Sequence, residues 1–208
     1  MALRSITVSL LLGLGLITAP AAYSVRGGDA FYVGSSRCSI GAAVQGGYVT
    51  TGDCGSAGSA VTGFNRIAQG TVQGTVFPGK NMGWVRVNAN WTPRGVVSDG
   101  RGGEVRVIGA QQAPVGATVC RSGSTTGWRC GTLLRRNVSV TYPQGTVHGL
   151  IETNICAEPG DRGGPLMWNG HVQGVLVGAT GNCTSGGRTF YQPIIPILQT
   201  YGLTLLSS

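Results

Sequence analysis

The sequence predicts an all-β protein in which short strands and hairpins form a barrel or a sandwich. Glycine supplies 37 residues, charged residues make up only 11% of the chain, and apolar and polar residues alternate along several short segments. This composition is typical of a turn-rich globular protein and unlike a disordered chain or a coiled coil. A chain of 208 residues can form one domain of moderate size or two small barrels.

The alternating segments are the predicted strands, and glycine, asparagine and serine clusters separate them. The clearest are WVRVN at 84–88, EVRVI at 104–108 and VSVTY at 138–142. A short C-terminal helix is expected in IIPILQTYGLTLL, ending at Gly202 because glycine readily takes the conformation that closes a helix.

The segment TPRGVVSDGRGG, residues 92–103, is the most loop-like part of the middle of the chain. We place a boundary there. It divides the chain into an N-terminal β-barrel at 25–100 and a C-terminal β-barrel at 101–208.

The first 24 residues, MALRSITVSLLLGLGLITAPAAYS, indicate a secretory signal peptide. Arg4 precedes an apolar stretch, and the small residues Ala22 and Ser24 suit a cleavage site before Val25. We therefore expect a secreted, extracellular protein with no membrane span after the signal is removed.

The chain is basic, with 15 lysines and arginines against 7 acidic residues. Such a charge attracts anionic polymers, so a basic glycan- or nucleic-acid-binding module is one alternative function. The arginines are scattered and no basic run or nucleic-acid-binding motif accompanies them, so nucleic acid is not the expected partner.

Six cysteines in an exported chain favour disulfides over a metal site or redox chemistry. The closely spaced pairs and histidines that zinc prefers are missing, so no metal or other cofactor is expected. The residues alone leave many pairings open and favour sequence neighbours, such as the two that enclose RSGSTTGWR. The cysteines are Cys38, Cys54, Cys120, Cys130, Cys156 and Cys183.

Four motifs along the chain resemble, in order and spacing, the bacterial chymotrypsin-like serine endopeptidases, especially the streptogrisins and alpha-lytic endopeptidase. They are GYVTTGDC at 47–54, FPGKNMGWV at 77–85, CAEPGDRGGPL at 156–166 and GNCTSGGRTFYQP at 181–193. The resemblance implies two packed six-stranded antiparallel β-barrels with a substrate cleft between them. It also implies disulfides between Cys38 and Cys54, Cys120 and Cys130, and Cys156 and Cys183.

The resemblance places three unusual residues at the positions of the catalytic triad. Asp53 occupies the histidine position, Asn81 the aspartate position and Arg162 the position of the serine nucleophile. An arginine side chain stays protonated and cannot attack a carbonyl carbon. Because Asp53 and Arg162 replace two groups that touch in active relatives, we expect them to form an ion pair.

Other positions around the cleft follow from the same resemblance. Gly160 and Arg162 are equivalent to the backbone donors of the oxyanion hole, and Arg121 is expected to form an internal ion pair with Asp161. The strand that would pair with a substrate peptide is Val177, Gly178 and Ala179. The two histidines, His148 and His171, are expected on strands away from the triad positions.

These substitutions lead us to expect a secreted pseudoprotease that acts by binding, as a decoy, inhibitor or interaction protein, and is not an enzyme. The expected partner is an extracellular protein, and the chain is expected to be a monomer. The alternative within the enzyme class is a weak or unusual hydrolase of the serine-protease fold that uses the remaining backbone donors.

Overall fold

The computed structural model describes residues 22–208, so most of the predicted signal peptide at 1–24 lies outside the described residues. The described chain is almost entirely strand and turn, with one short 3-10 helix and one α-helix. The strands are β1 (Tyr23–Gly27), β2 (Ala30–Val33), β3 (Ser36–Ser39), β4 (Ala42–Val44), β5 (Gly47–Thr50), β6 (Ala60–Gly63), β7 (Ala68–Val76), β8 (Met82–Val87), β9 (Trp91–Ser98), β10 (Glu104–Arg106), β11 (Thr118–Arg121), β12 (Arg129–Tyr142), β13 (Gly145–Thr153), β14 (Pro165–Trp168), β15 (His171–Asn182) and β16 (Gly186–Pro193). The 3-10 helix spans Gly52–Cys54, and helix α1 spans Ile194–Tyr201.

The C-terminal half is the closed six-stranded barrel that the resemblance implies, with neighbours in the order β11-β12-β13-β16-β15-β14. Every pairing in it is antiparallel. Leu133, Leu166 and Tyr191 are among the residues that fill its interior, each with no exposed surface. Burial of such side chains is the main favourable term in folding.

The N-terminal half is the second barrel-like unit that the resemblance implies. Its main sheet has strands in the order β3-β2-β6-β7-β8-β5-β4, and β1, β9 and β10 form a separate three-stranded sheet. The two end strands of this order, β3 and β4, are joined directly by Ile40 and Gly41, and the Gly41 N–H donates to the Val49 carbonyl of β5 at 2.9 Å. The chain itself therefore connects the two ends of the sheet, and the predicted all-β fold with two packed barrels is confirmed.

The prediction of a loop at 92–103 is wrong for most of this segment. Residues 91–98 form β9, which pairs in parallel with β1 and antiparallel with β10. Val97 is fully buried there, and Val96 nearly so. The glycines and the proline suggest a loop, but two buried valines between two partner strands hold the segment extended. The domain division near residue 100 stays a prediction.

The predicted strands and the C-terminal helix are present. Each of the three alternating segments contributes to a strand: β8, β10 or β12. Helix α1 ends at Gly202, which has φ +61°, and the Leu203 N–H donates to the Leu198 carbonyl at 2.9 Å. Glycine adopts this left-handed conformation without steric cost, which explains the end of the helix.

The two halves share one apolar cluster, which fixes the cleft above it. Val49 and Met82 of the N-terminal half pack there with Val175, Val177 and Ile197 of the C-terminal half. The disulfides join Cys38 to Cys54, Cys120 to Cys130 and Cys156 to Cys183, as expected. Among residues 22–208, no helix is long and apolar enough to cross a membrane.

Candidate active site

Asp53 lies on the short 3-10 turn that follows β5. Gly52 fits there because a Cβ at this position would come within 2.5 Å of the Val76 carbonyl oxygen. The disulfide of Cys54 ties the next residue to β3. Asp53 Oδ1 lies 2.8 Å from the Thr51 hydroxyl, which donates to it. These contacts leave the Asp53 side chain 20% exposed toward the cleft.

Arg162 lies on a tight turn between β13 and β14, and the turn requires glycine at two places. Gly160 has φ +96° and Gly163 has φ +89°, which are left-handed conformations. A Cβ on Gly163 would lie 2.4 Å from the Ser39 carbonyl oxygen, so a side chain there would collide with backbone. The turn is therefore held against the N-terminal half of the molecule.

Asp161 anchors this turn from below. Its carboxylate forms an ion pair with Arg121 at 3.1 Å, and neither side chain has exposed surface. It also accepts hydrogen bonds from the backbone N–H groups of Glu158, Thr125 and Thr126, each at 3.0 Å. A buried charge needs this degree of compensation, and the ion pair expected from the resemblance has it.

The Asp53–Arg162 ion pair predicted from the sequence is confirmed. Arg162 Nη2 lies 2.8 Å from Asp53 Oδ2, and the two side chains are 39% and 20% exposed. The pair links the two halves across the cleft. Because water reaches both groups, we expect it to contribute no more than about 1 kcal/mol to stability.

The Arg162 guanidinium makes a second contact with the C-terminal half. Nη2 also donates to the carbonyl oxygen of Val177, on strand β15. Nε is buried and has no hydrogen-bond partner among the described residues. Both contacts of the guanidinium thus use one nitrogen, and the buried Nε–H remains without an acceptor.

Asn81 lies directly beneath Asp53 and is fully buried. Its Oδ1 accepts hydrogen bonds from the Gly52 N–H at 2.7 Å and from the Thr51 hydroxyl at 2.6 Å. Thr51 has one hydroxyl proton and its oxygen is within hydrogen-bond distance of both Asn81 and Asp53, so it donates to one or the other. This arrangement fixes the position of Asp53 without adding a charge.

Two backbone donors on the turn are free. Within residues 22–208, neither the Gly160 N–H nor the Arg162 N–H donates to another residue. Their carbonyls, in contrast, are held by Ser39: its Oγ donates to Gly160 at 2.7 Å and its N–H to Arg162 at 2.7 Å. The turn therefore presents unpaired N–H groups at the positions that the resemblance assigns to an oxyanion hole.

A pocket of about 350 Å³ opens beside Arg162. Its lining is mainly apolar or small and includes two charged side chains. The lining residues are Tyr142, Ala157, Glu158, Pro159, Arg162, Leu176, Gly178, Ala179 and Gly181. A concave site with apolar walls and a few polar groups is typical of a substrate pocket.

The structure changes the role expected for the strand at 177–179. The Val177 side chain is buried in the shared core and does not line the pocket. Its carbonyl already accepts hydrogen bonds from Arg162 and from the Tyr142 hydroxyl. Gly178 and Ala179 do line the pocket, so they are the part of this strand available to a ligand.

Tyr142 is a site residue that the sequence did not point to. Its hydroxyl donates to the Val177 carbonyl at 3.2 Å, and a Cβ on Gly178 would lie 2.3 Å from that hydroxyl. Burial raises the pKa of Tyr142, the positive charge of Arg162 lowers it to a lesser extent, and the charge of Asp53 raises it further. The net direction is upward, so the hydroxyl stays protonated and acts as a donor. Thr51 and Glu158 were missed for the same reason: only tertiary contacts bring them to the site.

The histidines lie elsewhere, as expected. His148 Nδ1 is 2.9 Å from the Ser139 hydroxyl, and His171 Nδ1 accepts from the Gln111 N–H at 3.2 Å. Neither contacts Asp53 or Arg162. Among residues 22–208, no group of three or more His, Cys, Asp or Glu side chains is arranged to hold a metal ion.

Comparison with known proteins agrees with this geometry. The family profile described as Trypsin matches residues 30–200. Streptogrisin-C of Streptomyces griseus is 54% identical over 189 residues, which cover 88% of this chain and 41% of that protein. The chain thus spans less than half the length of this relative.

Two solved structures are also similar over nearly the whole described chain. Thermobifida fusca Protease A has a TM-score of 0.85 and 48% identity, with 89% of this chain and 100% of that one covered. Cellulomonas bogoriensis chymotrypsin has a TM-score of 0.85 and 50% identity, with the same coverage.

The expectation that the chain acts by binding and is not an enzyme is contradicted by these comparisons, because the similar proteins are named as proteases. That expectation depended on the three side chains that replace the catalytic triad. Hydrolysis of a carbonyl also uses backbone donors, which side-chain exchange does not remove, and the turn that carries them is intact. The chain belongs to the trypsin family of chymotrypsin-like serine proteases.

Proposed function

We propose that this chain is a hydrolase of ester and peptide carbonyls, built on the serine-protease fold and using an unusual polar centre. The observation that carries the proposal is the pair of unpaired N–H groups at Gly160 and Arg162, on a turn that lines a pocket and whose Arg162 side chain contacts a partly exposed Asp53 carboxylate. The centre is unusual because Asp53, Asn81 and Arg162 occupy the positions assigned to the triad, and no serine is there to form an acyl-enzyme.

In the proposed reaction water is the nucleophile. Asp53 accepts one proton from water while the water oxygen bonds to the substrate carbonyl carbon. The electrons of the C=O bond move to the carbonyl oxygen, which the N–H groups of Gly160 and Arg162 stabilise. Collapse of this intermediate breaks the bond to the leaving group, which takes the proton from Asp53 as an alcohol or an amine.

The remaining site residues position the substrate. The pocket beside Gly178 and Ala179 receives the side chain next to the reacting carbonyl, and Tyr142 closes one wall. Asn81 and Thr51 hold Asp53 in place through the hydrogen bonds described above. Because the Val177 carbonyl is already occupied, a substrate strand pairs there only by displacing Arg162 or Tyr142.

The expected activity is weak. Protease variants without a working triad retain about 10³- to 10⁴-fold catalysis over water from the oxyanion hole and binding. A general base adds about 10² to 10⁴ to this, which is the factor that Asp53→Asn is expected to remove. The test measures hydrolysis of an N-acyl peptide p-nitrophenyl ester by the purified protein, by Asp53→Asn and by Asp99→Asn. Asp99 is the control because it is an acidic residue on a loop at 99–103, with no contact to Arg162. Loss of activity in Asp53→Asn alone supports the proposal.

A second experiment tests the assignment of the three positions. The triple variant Asp53→His, Asn81→Asp, Arg162→Ser supplies a base, an orienting acid and a hydroxyl nucleophile. We expect it to hydrolyse the same ester faster than the native chain and to be inactivated covalently at residue 162 by a serine-directed phosphonate. Absence of labelling would show that the three side chains do not share one catalytic geometry.

We further propose that the protein is secreted and acts as a monomer on an extracellular peptide or protein substrate. Support comes from the N-terminal segment at 1–24 and from three disulfides, which form and persist in oxidising compartments. Amino-terminal sequencing of protein recovered outside the cell is expected to begin at Val25. Recovery only inside the cell would contradict this.

A further inference from the structure

The Arg162 guanidinium has hydrogen-bonding capacity that the protein does not use. Both of its contacts among the described residues are made by Nη2, to Asp53 Oδ2 and to the Val177 carbonyl. The Nε–H is buried and has no acceptor. A buried donor without an acceptor is unfavourable, and a guanidinium edge matches the two oxygens of a carboxylate.

We propose that the cleft binds a carboxylate anion at Arg162, and that the ligand is the free carboxylate of an N-acylated peptide. The planar fork of arginine recognises a carboxylate by two parallel hydrogen bonds, which an uncharged amide cannot reproduce.

Further donors lie next to Arg162 on the same turn. The N–H groups of Gly160 and Arg162 are unpaired within the described chain. Arg37 provides a second cation: its Nε would lie 3.6 Å from a Cβ built on Gly160. Within residues 22–208 Arg37 forms no ion pair, and its Nη2 donates to the Ser124 carbonyl. Unpaired backbone N–H groups flanked by two guanidinium groups favour an anion.

Two carboxylates oppose the ligand, and their contacts indicate how it is accommodated. Asp53 holds Nη2 of Arg162 and Nε is buried, so a ligand carboxylate forms two parallel hydrogen bonds with this edge only by displacing the Asp53 carboxylate. Glu158 Oε1 accepts from the Cys183 N–H at 2.7 Å, which holds this carboxylate at the rim of the pocket. Removing the Asp53 charge is therefore expected to strengthen binding of the acid.

The pocket indicates what the carboxylate is attached to. Ala157, Pro159, Leu176 and Ala179 give it mainly apolar walls beside Arg162. An apolar side chain on the carbon next to the carboxylate fits this lining better than a bare anion does. The inference deepens the proposed function. The identification of this acid as the reaction product rests on that function, but binding of the acid requires no turnover.

The experiment compares acetyl-Ala-Ala-Leu as the free acid with the same peptide as its carboxamide, using isothermal titration calorimetry. Sodium acetate is a third ligand, which separates a bare carboxylate from a peptide acid. The protein variants are Arg162→Gln, Asp53→Asn and the control Arg101→Gln. Arg101 is exposed and its side chain makes no ion pair among the described residues, so the control removes one positive charge outside the cleft.

We expect the native protein to bind the acid about 10- to 100-fold more tightly than the amide, because hydrogen bonds to a charged group are the stronger kind. Arg162→Gln is expected to abolish this preference, Arg101→Gln to keep it, and Asp53→Asn to increase it. Arg162→Lys retains the charge without the planar fork and is expected to give a smaller preference. It also serves as the second variant if Arg162→Gln does not fold.

Equal affinity of the native protein for acid and amide would overturn the inference, and so would a preference that survives in Arg162→Gln. Binding of acetate as tightly as the peptide acid would overturn the assignment of the pocket. The two proposals fail separately. Acid binding without ester hydrolysis removes the proposed function alone, and Asp53-dependent hydrolysis without acid preference removes only the carboxylate site.

Discussion

The Arg121–Asp161 pair gives the sharpest stability prediction, because the molecule contains a matched pair with different burial. Arg121 and Asp161 have no exposed side-chain surface, whereas Asp53 and Arg162 are 20% and 39% exposed. Asp→Asn in either pair removes one charge while keeping the size of the side chain. Comparing the two variants therefore measures what burial, together with the backbone hydrogen bonds to Asp161, adds to an Asp–Arg pair.

Asp161→Asn is expected to lower the free energy of unfolding by about 3 to 5 kcal/mol, the usual cost of leaving a buried charge without its partner. Arg121 would keep its hydrogen bond to the Cys156 carbonyl at 2.8 Å but lose the only carboxylate that it contacts within residues 22–208. The new amide would also face backbone N–H groups that now donate to the carboxylate. Asp53→Asn is expected to cost no more than about 1 kcal/mol.

The assay is equilibrium unfolding in urea, followed by fluorescence and circular dichroism to check that the transition is two-state. A double-mutant cycle with Arg121→Met measures the coupling within the buried pair. Equal destabilisation by Asp161→Asn and Asp53→Asn would contradict the predicted difference, and so would a cost of less than about 1 kcal/mol for Asp161→Asn.

Three further predictions concern a disulfide, a buried tyrosine and the pocket. Replacing Cys156 and Cys183 by alanine opens a link across 27 residues and is expected to cost about 3.5 kcal/mol in urea unfolding from chain entropy alone; an unchanged midpoint would contradict this. Burial raises the pKa of Tyr191 from 10.0 to about 12. The contribution of Tyr191 to the free energy of unfolding is therefore complete below pH 10 and is lost as the pH rises toward 12. Tyr191→Phe should reduce the alkaline loss of stability by up to about 2.7 kcal/mol in urea unfolding between those pH values, and an unchanged slope would refute the assignment. Gly178→Ala places a Cβ 2.3 Å from the Tyr142 hydroxyl, so we expect a loss of about 1 to 3 kcal/mol in stability and a raised KM for ester substrates; wild-type values of both would show that the wall is not rigid.

The strand pattern and the C-terminal helix could be predicted from the sequence because they depend on local periodicity and on one capping glycine. Segment 91–98 could not, since its glycine and proline content indicates a loop and only the partner strands β1 and β10 hold it extended.

At the site, the resemblance predicted which side chains would be neighbours. It predicted the Asp53–Arg162 pair because these residues of opposite charge occupy two positions whose side chains touch in active relatives. It did not predict that Arg162 and Tyr142 would occupy the Val177 carbonyl, because nothing local to VSVTY directs its tyrosine into the cleft. The same residues led to the expectation of an inert binding protein because the three exchanged side chains were given more weight than the backbone donors at Gly160 and Arg162.

The most direct test of the account is the rate of ester hydrolysis by the native chain compared with its Asp53→Asn variant, in the same buffer and with Asp99→Asn as control. We expect the native chain and Asp99→Asn to hydrolyse the ester more than about 10³- to 10⁴-fold faster than the uncatalysed rate. We expect Asp53→Asn to be about 10²-fold slower or more, because a positioned general base typically contributes that much. A native rate no higher than buffer alone, or a rate that Asp53→Asn leaves unchanged, would contradict the account.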